Sequence, residues 1–250
     1  MNRKNICLAT IDEKAHVLAK EWEITLEISE FCTAWNMDDE CAAVGSQVEE
    51  KLRFAPATVL HAPFNELFPC AIDPRARALA KERYLQAVTL AKRYGASKVV
   101  IHGGYNPWIY YPVWYTEQSV PFWKDILKDL PEGITLCLEN VLEEKPGMLL
   151  DIVRNVDDPR IRMCLDIGHA NSYAKATPME WLERCVPYIS HFHIHNNDTS
   201  WDTHSPLNEG TIPMKELLER AEALCPDATF TLELTDCESS LNWMKEEGLL

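Results

Sequence analysis

The sequence predicts an α/β protein of one domain, a (β/α)8 TIM barrel over residues 1–250, and three observations lead to this prediction. Eight short apolar, β-rich runs recur at regular intervals along the chain. Helical patterns separate the runs, and strands that alternate with helices indicate parallel βαβ units. Eight such units in about 250 residues match the usual size of a closed barrel. An open doubly wound sheet is the alternative, but no G-x-G-x-x-G motif follows the first run.

The eight runs are the candidate strands, and each leaves room for a helix before the next one begins. In chain order they are ICLAT (6–10), EITLEIS (23–29), ATVLHAP (57–63), KVVIHGG (98–104), ITLCLEN (134–140), RMCLDIGH (162–169), ISHFHIH (189–195) and TFTLEL (229–234).

Local signals mark several of the intervening helices. Asp73 followed by Pro74 predicts an N-cap with proline at the first helical position, and Gly95 predicts the end of that helix before the fourth strand. Thr177-Pro178 repeats the start signal. Residues 213–224 have helical spacing with charged residues on one side. No linker, low-complexity tract or internal repeat suggests a second domain.

Composition excludes several classes of function. The hydrophobic fraction of 46% is ordinary for a soluble globular protein, and no apolar run is long enough to span a membrane. Residues 1–10 lack a basic stretch followed by a long apolar one, so we expect no signal peptide and a cytoplasmic protein. The net charge of −15 opposes broad binding to nucleic acid, which requires clustered Lys and Arg.

The nine cysteines are scattered and include no C-x-x-C pair. Cys7, Cys137 and Cys164 lie inside apolar candidate strands, where a thiol behaves as a small hydrophobic side chain. An odd number without a regular framework indicates reduced thiols in the cytosol.

Polar residues stand where six consecutive candidate strands end. In a TIM barrel these ends meet at one rim, where catalysis takes place. A single histidine there is usually structural and a single carboxylate is often a helix cap, but six together need partners or metals because buried charges do. Histidine with carboxylate suits Zn²⁺, Mn²⁺, Fe²⁺ or Co²⁺. The residues are His61, His102, Glu139 with Asn140, Asp166 with His169, His193 with His195, and Glu233.

The seventh candidate strand carries directional information. Side chains alternate between the two faces of a strand, so the three histidines point one way and Phe192 and Ile194 the other. Packing of Phe192 and Ile194 under the helices directs His191, His193 and His195 into the barrel. His193 is then a candidate ligand, His191 is deeper and structural, and the role of His195 stays open.

Taken together, these segments resemble the xylose isomerase-like TIM-barrel superfamily. The matching motifs run from about residue 60 to residue 234 and are LHAPFNEL, VVIHGG, LEN, CLDIGHAN, HFHIHNNDTSWDTHSPLNEGTI and LEL. The superfamily contains sugar and sugar-phosphate isomerases and epimerases, and also AP endonucleases of the endonuclease IV type. The resemblance is specific to the superfamily and not to one reaction.

The resemblance implies two ligand sets. The single-metal set of the epimerases corresponds to Glu139, Asp166, His193 and Glu233, with His169 as a histidine that contacts substrate. The endonuclease-type set implies three metals held by nine residues. These correspond to His61, His102, Glu139, Asp166, His169, His193, Asp202, His204 and Glu233.

The sequence departs from the superfamily pattern at two places. His195-Asn196 stands where relatives often have His-Asp, which changes the charge beside the metal ligands. Asn208 replaces the first glycine of a G-E-G turn, and because Asn tolerates a positive φ we expect the turn to survive.

The resemblance implies an isomerase or epimerase of a small-molecule sugar or sugar phosphate. One to three divalent ions, Zn²⁺ or Mn²⁺, would stabilise an enediolate while Glu139 and Glu233 act as base and acid and His169 binds substrate oxygens. An endonuclease IV-like multi-zinc phosphoesterase acting on abasic DNA is the first alternative, opposed by the acidic charge and the lack of basic recognition loops. A metal-binding barrel without catalytic activity is the second.

An aromatic segment follows the fourth candidate strand. Residues 105–115, YNPWIYYPVWY, include six aromatic residues. On the catalytic face they would stack on a sugar ring or close as a lid, or else form a contact in a homo-oligomer.

Overall fold

A computed structural model describes residues 1–38 and 40–250, and it confirms the predicted barrel. Eight parallel strands pair in chain order, and the eighth closes onto the first. The strands are β1 (Ile6–Ala9), β2 (Thr25–Ile28), β3 (Ala57–His61), β4 (Lys98–His102), β5 (Thr135–Glu139), β6 (Ile161–Asp166), β7 (Ile189–Ile194) and β8 (Thr229–Leu232).

Helices follow every strand and surround the barrel. They are α1 (Ala15–Trp22), α2 (Ala34–Met37), α3 (Cys41–Lys51), α4 (Pro74–Tyr94), α5 (Pro112–Asp129), α6 (Pro146–Val156), α7 (Ile167–Ser172), α8 (Pro178–Cys185), α9 (Met214–Leu224) and α10 (Glu238–Glu246). None of the described helices has the length and apolar character needed to cross a bilayer.

The predicted helix signals act as expected. The Asp73 carboxylate accepts a hydrogen bond from the backbone N–H of Arg75 (2.7 Å), and α4 ends at Gly95 with a left-handed φ of 81°. At the start of α8, Thr177 and Glu180 form a reciprocal capping box.

The sixth candidate run contains the end of a strand and the start of a helix. Residues 162–169 do not form one strand, because β6 ends at Asp166 and α7 begins at Ile167. The physical cause is a cap: Asp166 has extended backbone dihedral angles, and its carboxylate accepts a hydrogen bond from the backbone N–H of His169 (2.6 Å). The cap turns the chain sharply at the rim and places Asp166 and His169 side by side.

The core has two layers. The outer layer, between strands and helices, contains Phe192 and Ile194 as predicted, and the Phe192 ring stacks on Phe230 with centroids 4.6 Å apart. The inner layer fills the barrel with small side chains: Cys7, Val59, Val100, Cys137 and Cys164.

All nine cysteines are free thiols, which agrees with the sequence. Burial raises the pKa of Cys7, Cys137 and Cys164, so these thiols stay neutral and pack as apolar groups. Their small volume leaves room in the barrel for the polar groups above them.

Candidate metal centre

The structure brings the nine candidate residues together at the carboxyl end of the barrel. Four of them are the last residues of β3, β4, β5 and β6, namely His61, His102, Glu139 and Asp166. A fifth, His193, lies one residue before the end of β7. Glu233 follows β8 directly. His169 lies on α7, and Asp202 and His204 lie on the loop after β7. Different strands therefore supply one rim, as the fold requires.

A central group of four side chains surrounds one point. Glu139, Asp166, His193 and Glu233 each offer a ligand atom, and these atoms all lie within 4.8 Å of one another. The His193 Nδ1 atom is 3.4 Å from Glu139 Oε1, 3.7 Å from Asp166 Oδ2 and 3.2 Å from Glu233 Oε2. Three carboxylates and one imidazole around a common point suit a divalent cation.

Two further histidines lie on the other oxygen of Glu139. The Nε2 atoms of His61 and His102 are each 3.4 Å from Glu139 Oε2, whereas the opposite oxygen, Oε1, faces His169 and His193. The carboxylate thus presents one oxygen to each of two groups of histidines, and it would be able to contribute an oxygen to a cation on either side.

Asp202 forms a third group with two histidines. Its Oδ2 atom is 3.2 Å from His169 Nε2 and 3.0 Å from His204 Nε2. The loop after β7 therefore folds back over the mouth. His204 holds a left-handed φ of 46°, an uncommon conformation for a non-glycine residue and one that often accompanies a functional constraint.

The rings are oriented by hydrogen bonds to carbonyl groups. A carbonyl oxygen only accepts, so the Nδ1 atom that faces it carries a proton and leaves Nε2 free to bind a cation. Three of the candidate histidines follow this pattern, donating to the carbonyl oxygens of Ala62, Asn140 and Glu233: His61 (2.8 Å), His169 (3.0 Å) and His204 (2.8 Å).

Several buried polar atoms at the centre lack a hydrogen-bond partner within the described residues. They are Glu139 Oε2, His193 Nδ1, His195 Nδ1, Asp202 Oδ1 and Glu233 Oε2. Unpaired buried polar atoms are costly, and cations bound among these side chains would remove the cost. The donor set, imidazole nitrogen with carboxylate oxygen, fits Zn²⁺ or Mn²⁺.

The charges of the cluster compensate one another. Burial alone would lower the pKa of His169 and His193, but neighbouring acidic groups raise both well above the usual 6.5. Burial would raise the pKa of Glu233, yet His193 lowers it to about 2. Protons on the imidazoles thus balance the carboxylates, and a bound cation would take over that charge and release them.

Sequence reasoning missed Glu27, a fully buried carboxylate on β2. It lies 3.0 Å from His193 Nε2 and 3.1 Å from His191 Nε2, so the deeper histidine pairs with Glu27 inside the barrel. Burial would raise the pKa of Glu27, but these two histidines lower it well below 4.5. Alternation in EITLEIS was the available signal, because it puts Glu27 on the face opposite Leu26 and Ile28.

His195, whose role the sequence left open, lies beside the candidate ligands. Its ring stacks on His204 with centroids 3.9 Å apart, and its Nε2 atom is 3.2 Å from Asp166 Oδ2. Gly168 packs directly against this ring, and a Cβ at Gly168 would overlap it. His195, His204 and Glu233 form a further group with ligand atoms within 4.8 Å of one another.

The two departures from the superfamily pattern have structural explanations. Asn196 donates to the carbonyl oxygens of Leu207 (2.9 Å) and Ile212 (3.3 Å), which an aspartate cannot do. Asn208 is not among the residues with positive φ, so the turn does not depend on the tolerance we expected. Gly210 holds the positive φ instead, and a Cβ there would overlap the Asn196 side chain.

The aromatic segment is split between core and surface. Tyr105, Tyr110 and Tyr115 are buried, whereas Trp108 is 82% and Tyr111 is 84% exposed. The segment is not a single loop, because α5 begins at Pro112 and carries the last two aromatic residues in its first turn. Prolines suit this helical position because their missing N–H needs no partner there.

Comparison with known proteins identifies the family of this chain. The family model described as xylose isomerase-like TIM barrel matches residues 30–247. An uncharacterized protein of Methanocaldococcus jannaschii is 29% identical, over 90% of this chain and 79% of the relative. A probable endonuclease 4 of Ureaplasma parvum is 25% identical, over 64% of this chain and 59% of that protein.

Solved structures share the whole barrel. A D-tagatose 3-epimerase-like protein superposes with a TM-score of 0.79 at 25% identity, covering 98% of this chain and 97% of its own. A Thermus thermophilus protein, solved after soaking with zinc chloride, has a TM-score of 0.78 at 23% identity and covers 97% of both chains.

Proposed function

Because the chain belongs to the xylose isomerase-like TIM-barrel family, we propose that it is a divalent-metal-dependent isomerase or epimerase of a sugar or sugar phosphate. The observation that carries the proposal is the central group of Glu139, Asp166, His193 and Glu233, whose ligand atoms converge within 4.8 Å at the rim of the barrel. The solved D-tagatose 3-epimerase-like protein, which shares the full barrel, supports the same reaction class.

The four central residues would hold the metal, Zn²⁺ or Mn²⁺. When bound, the metal supplies positive charge that stabilises the negative charge developing on substrate oxygens as a carbon-bound proton leaves. The Thermus thermophilus structure soaked with zinc chloride supports zinc as one of the candidates. With the flanking histidines and Asp202, the centre has side chains for up to three ions.

Glu233 is the better placed of the two glutamates to take a proton from substrate. Its side chain is 16% exposed, whereas that of Glu139 is 1% exposed beneath four histidines. Glu233 would remove the proton from the carbon next to the substrate carbonyl. In an isomerisation it would return that proton to the neighbouring carbon. In an epimerisation Glu139 would deliver to the opposite face a proton first taken from solvent, and Glu233 would release its own proton to solvent.

His169 would orient the substrate. Its Nδ1 atom donates to the Asn140 carbonyl, and its Nε2 atom lies 3.2 Å from Asp202 Oδ2 on the loop over the mouth. The exposed rings of Trp108 and Tyr111 would add a surface for a sugar ring, and self-association through the same rings is the competing use.

A sugar panel in deuterated water tests the proposal. Metal-loaded protein should exchange a carbon-bound proton of at least one ketose or aldose for deuterium, and chelation should stop the exchange. Glu233→Gln should reduce exchange by about 10²-fold or more, as expected for loss of a general base. Glu246→Gln, at an exposed position on α10, is the matched control and should leave exchange unchanged. Exchange that survives Glu233→Gln would contradict the assigned role.

A metallo-phosphoesterase of the endonuclease IV type is the second candidate function. The two-sided environment of Glu139 and the additional group around Asp202 favour it, since clustered cations activate water and stabilise a leaving oxygen. The similarity to a probable endonuclease 4 is further support. The net charge of −15 opposes DNA binding. Cleavage of an oligonucleotide with one abasic site, without proton exchange in any sugar, would favour this function.

A further inference from the structure

We propose that Glu27 is a positioning residue that fixes the ring orientation and the tautomer of the ligand His193. The inference rests on the proposed metal centre and concerns a residue outside both ligand sets. Glu27 stands on β2 and His193 on β7, with β1 and β8 between them in the barrel, so the contact crosses the lumen. Both side chains have 0% exposure.

The contact determines which nitrogen of His193 faces the metal. Glu27 Oε1 is 3.0 Å and Oε2 is 3.3 Å from His193 Nε2. An ionised carboxylate only accepts hydrogen bonds, so Nε2 must carry the proton. The other nitrogen, Nδ1, then presents its lone pair to the centre formed by Glu139, Asp166 and Glu233.

Glu27 is itself held by two further groups, Thr231 and His191. The Thr231 hydroxyl donates to Oε2 at 2.6 Å, and His191 Nε2 lies 3.1 Å from the same oxygen. The ring of His191 is fixed in turn by a 2.6 Å contact between its Nδ1 atom and the Thr229 hydroxyl. A carboxylate with this many partners cannot rotate freely, so the position of the His193 ring is fixed by the wall of the barrel.

Complete burial separates this role from catalysis. Glu27 lies beneath His193, so a substrate at the mouth meets the histidine and not the carboxylate. Its influence therefore passes through His193. A buried anion on the far nitrogen also increases the basicity of the nitrogen that binds metal, and removal of such a partner typically weakens metal binding 10–100-fold.

Zinc affinity and side-chain nitrogen NMR test the inference together. Glu27→Gln preserves volume and removes the charge, and it should weaken Zn²⁺ binding about 10-fold or more in competition with a chelating dye. Thr25→Val is the matched control: it is on the same strand, and its hydroxyl contacts Cys7 and Thr58 instead of the histidines. It should leave zinc affinity unchanged.

The unmodified protein supplies a second readout that does not depend on whether the variant folds. In the zinc-loaded protein, ¹⁵N spectra of the histidine rings should show a proton on His193 Nε2 and none on Nδ1. The reverse tautomer, or equal zinc affinity of folded Glu27→Gln and the unmodified protein, would overturn the inference while the proposed metal centre stands. Failure of the unmodified protein to bind zinc or manganese would overturn the proposed function and the inference with it.

Discussion

At the scale of single residues, the rim depends on close contacts that leave no space for substitution. Gly168 follows the cap of α7 and packs against the His195 ring, which stacks on His204. Gly168 therefore packs within the cluster of candidate ligands although it has no functional group. Glycine is needed at this position because any side chain would occupy the volume of the His195 imidazole.

Gly168→Ala should destabilise the protein by about 1–3 kcal/mol, because the added methyl group overpacks a buried position. Urea unfolding measures the difference in the free energy of unfolding. Gly147→Ala is the control: Gly147 lies near the start of α6, and a Cβ there meets no atom within 4 Å. Alanine should stabilise that helix by about 0.5–1 kcal/mol. Equal stability of both variants would contradict the packing account.

The resemblance to the xylose isomerase-like superfamily implied the nine candidate ligands, and it rests on local motifs. D-x-x-H and H-x-H name residues by spacing, and the strand ends gather them at one rim. Glu27 was not predicted because a lone glutamate in an apolar strand does not reveal its partner, His193, which lies 166 residues away on β7. The role of Gly168 was not predicted because the close approach of the His195 ring to its backbone is visible only in the structure.

At the scale of elements, Glu143 connects a helix to a loop. Tyr115 on α5 donates to Glu143 Oε1 at 2.6 Å, and the backbone N–H of Val141 donates to Oε2 at 2.8 Å. Glu143 is buried at 1% exposure. The contact joins the start of α5, and with it the aromatic segment, to the loop that follows β5.

Burial raises the pKa of Glu143 above its usual value of 4.5. The folded protein therefore keeps this proton at pH values where the unfolded chain has lost it. The contribution to stability is complete below 4.5 and disappears as pH rises through the raised pKa. Glutamine cannot ionise, so Glu143→Gln should gain stability relative to the unmodified protein between about pH 4 and about pH 8.

Urea unfolding at both pH values measures the change for Glu143→Gln. Glu132→Gln, at an exposed position before β5, is the control and should differ from the unmodified protein by a constant amount. A stability difference for Glu143→Gln that is the same at both pH values would show that the carboxyl group does not hold a proton in the folded protein.

The sequence predicted where strands and helices lie more accurately than it predicted the residues at which they end. The eight runs and the caps at Asp73 and Thr177 gave the barrel, because apolar periodicity and capping act locally. The run 162–169 joined the end of β6 to the start of α7, and no start was predicted for α5. The Asp166 cap ends β6 and starts α7, and Pro112 stands at the first position of α5.

At the scale of the whole molecule, the side chains that pack the barrel interior and the polar side chains of the candidate metal centre lie at different levels along the barrel axis. Small apolar side chains such as Val100 and Cys137 fill the middle, and histidines and carboxylates occupy the carboxyl end. The net charge of −15 surrounds a centre that would hold cations, which favours entry of divalent metal and opposes approach of polyanions. The fold thus accounts for one polar centre, and seven of the eight histidines lie in it or directly beneath it.

Counting the divalent ions bound per chain by native mass spectrometry tests the central claim most directly. Protein purified without chelators should retain at least one ion, and His193→Ala should remain folded and lose at least one. His16→Ala, which removes the histidine that lies on α1 against Phe54, should keep the full number. An unmodified protein that binds no divalent ion, or a His193→Ala protein that binds the same number, would contradict the assignment of the rim as a metal centre.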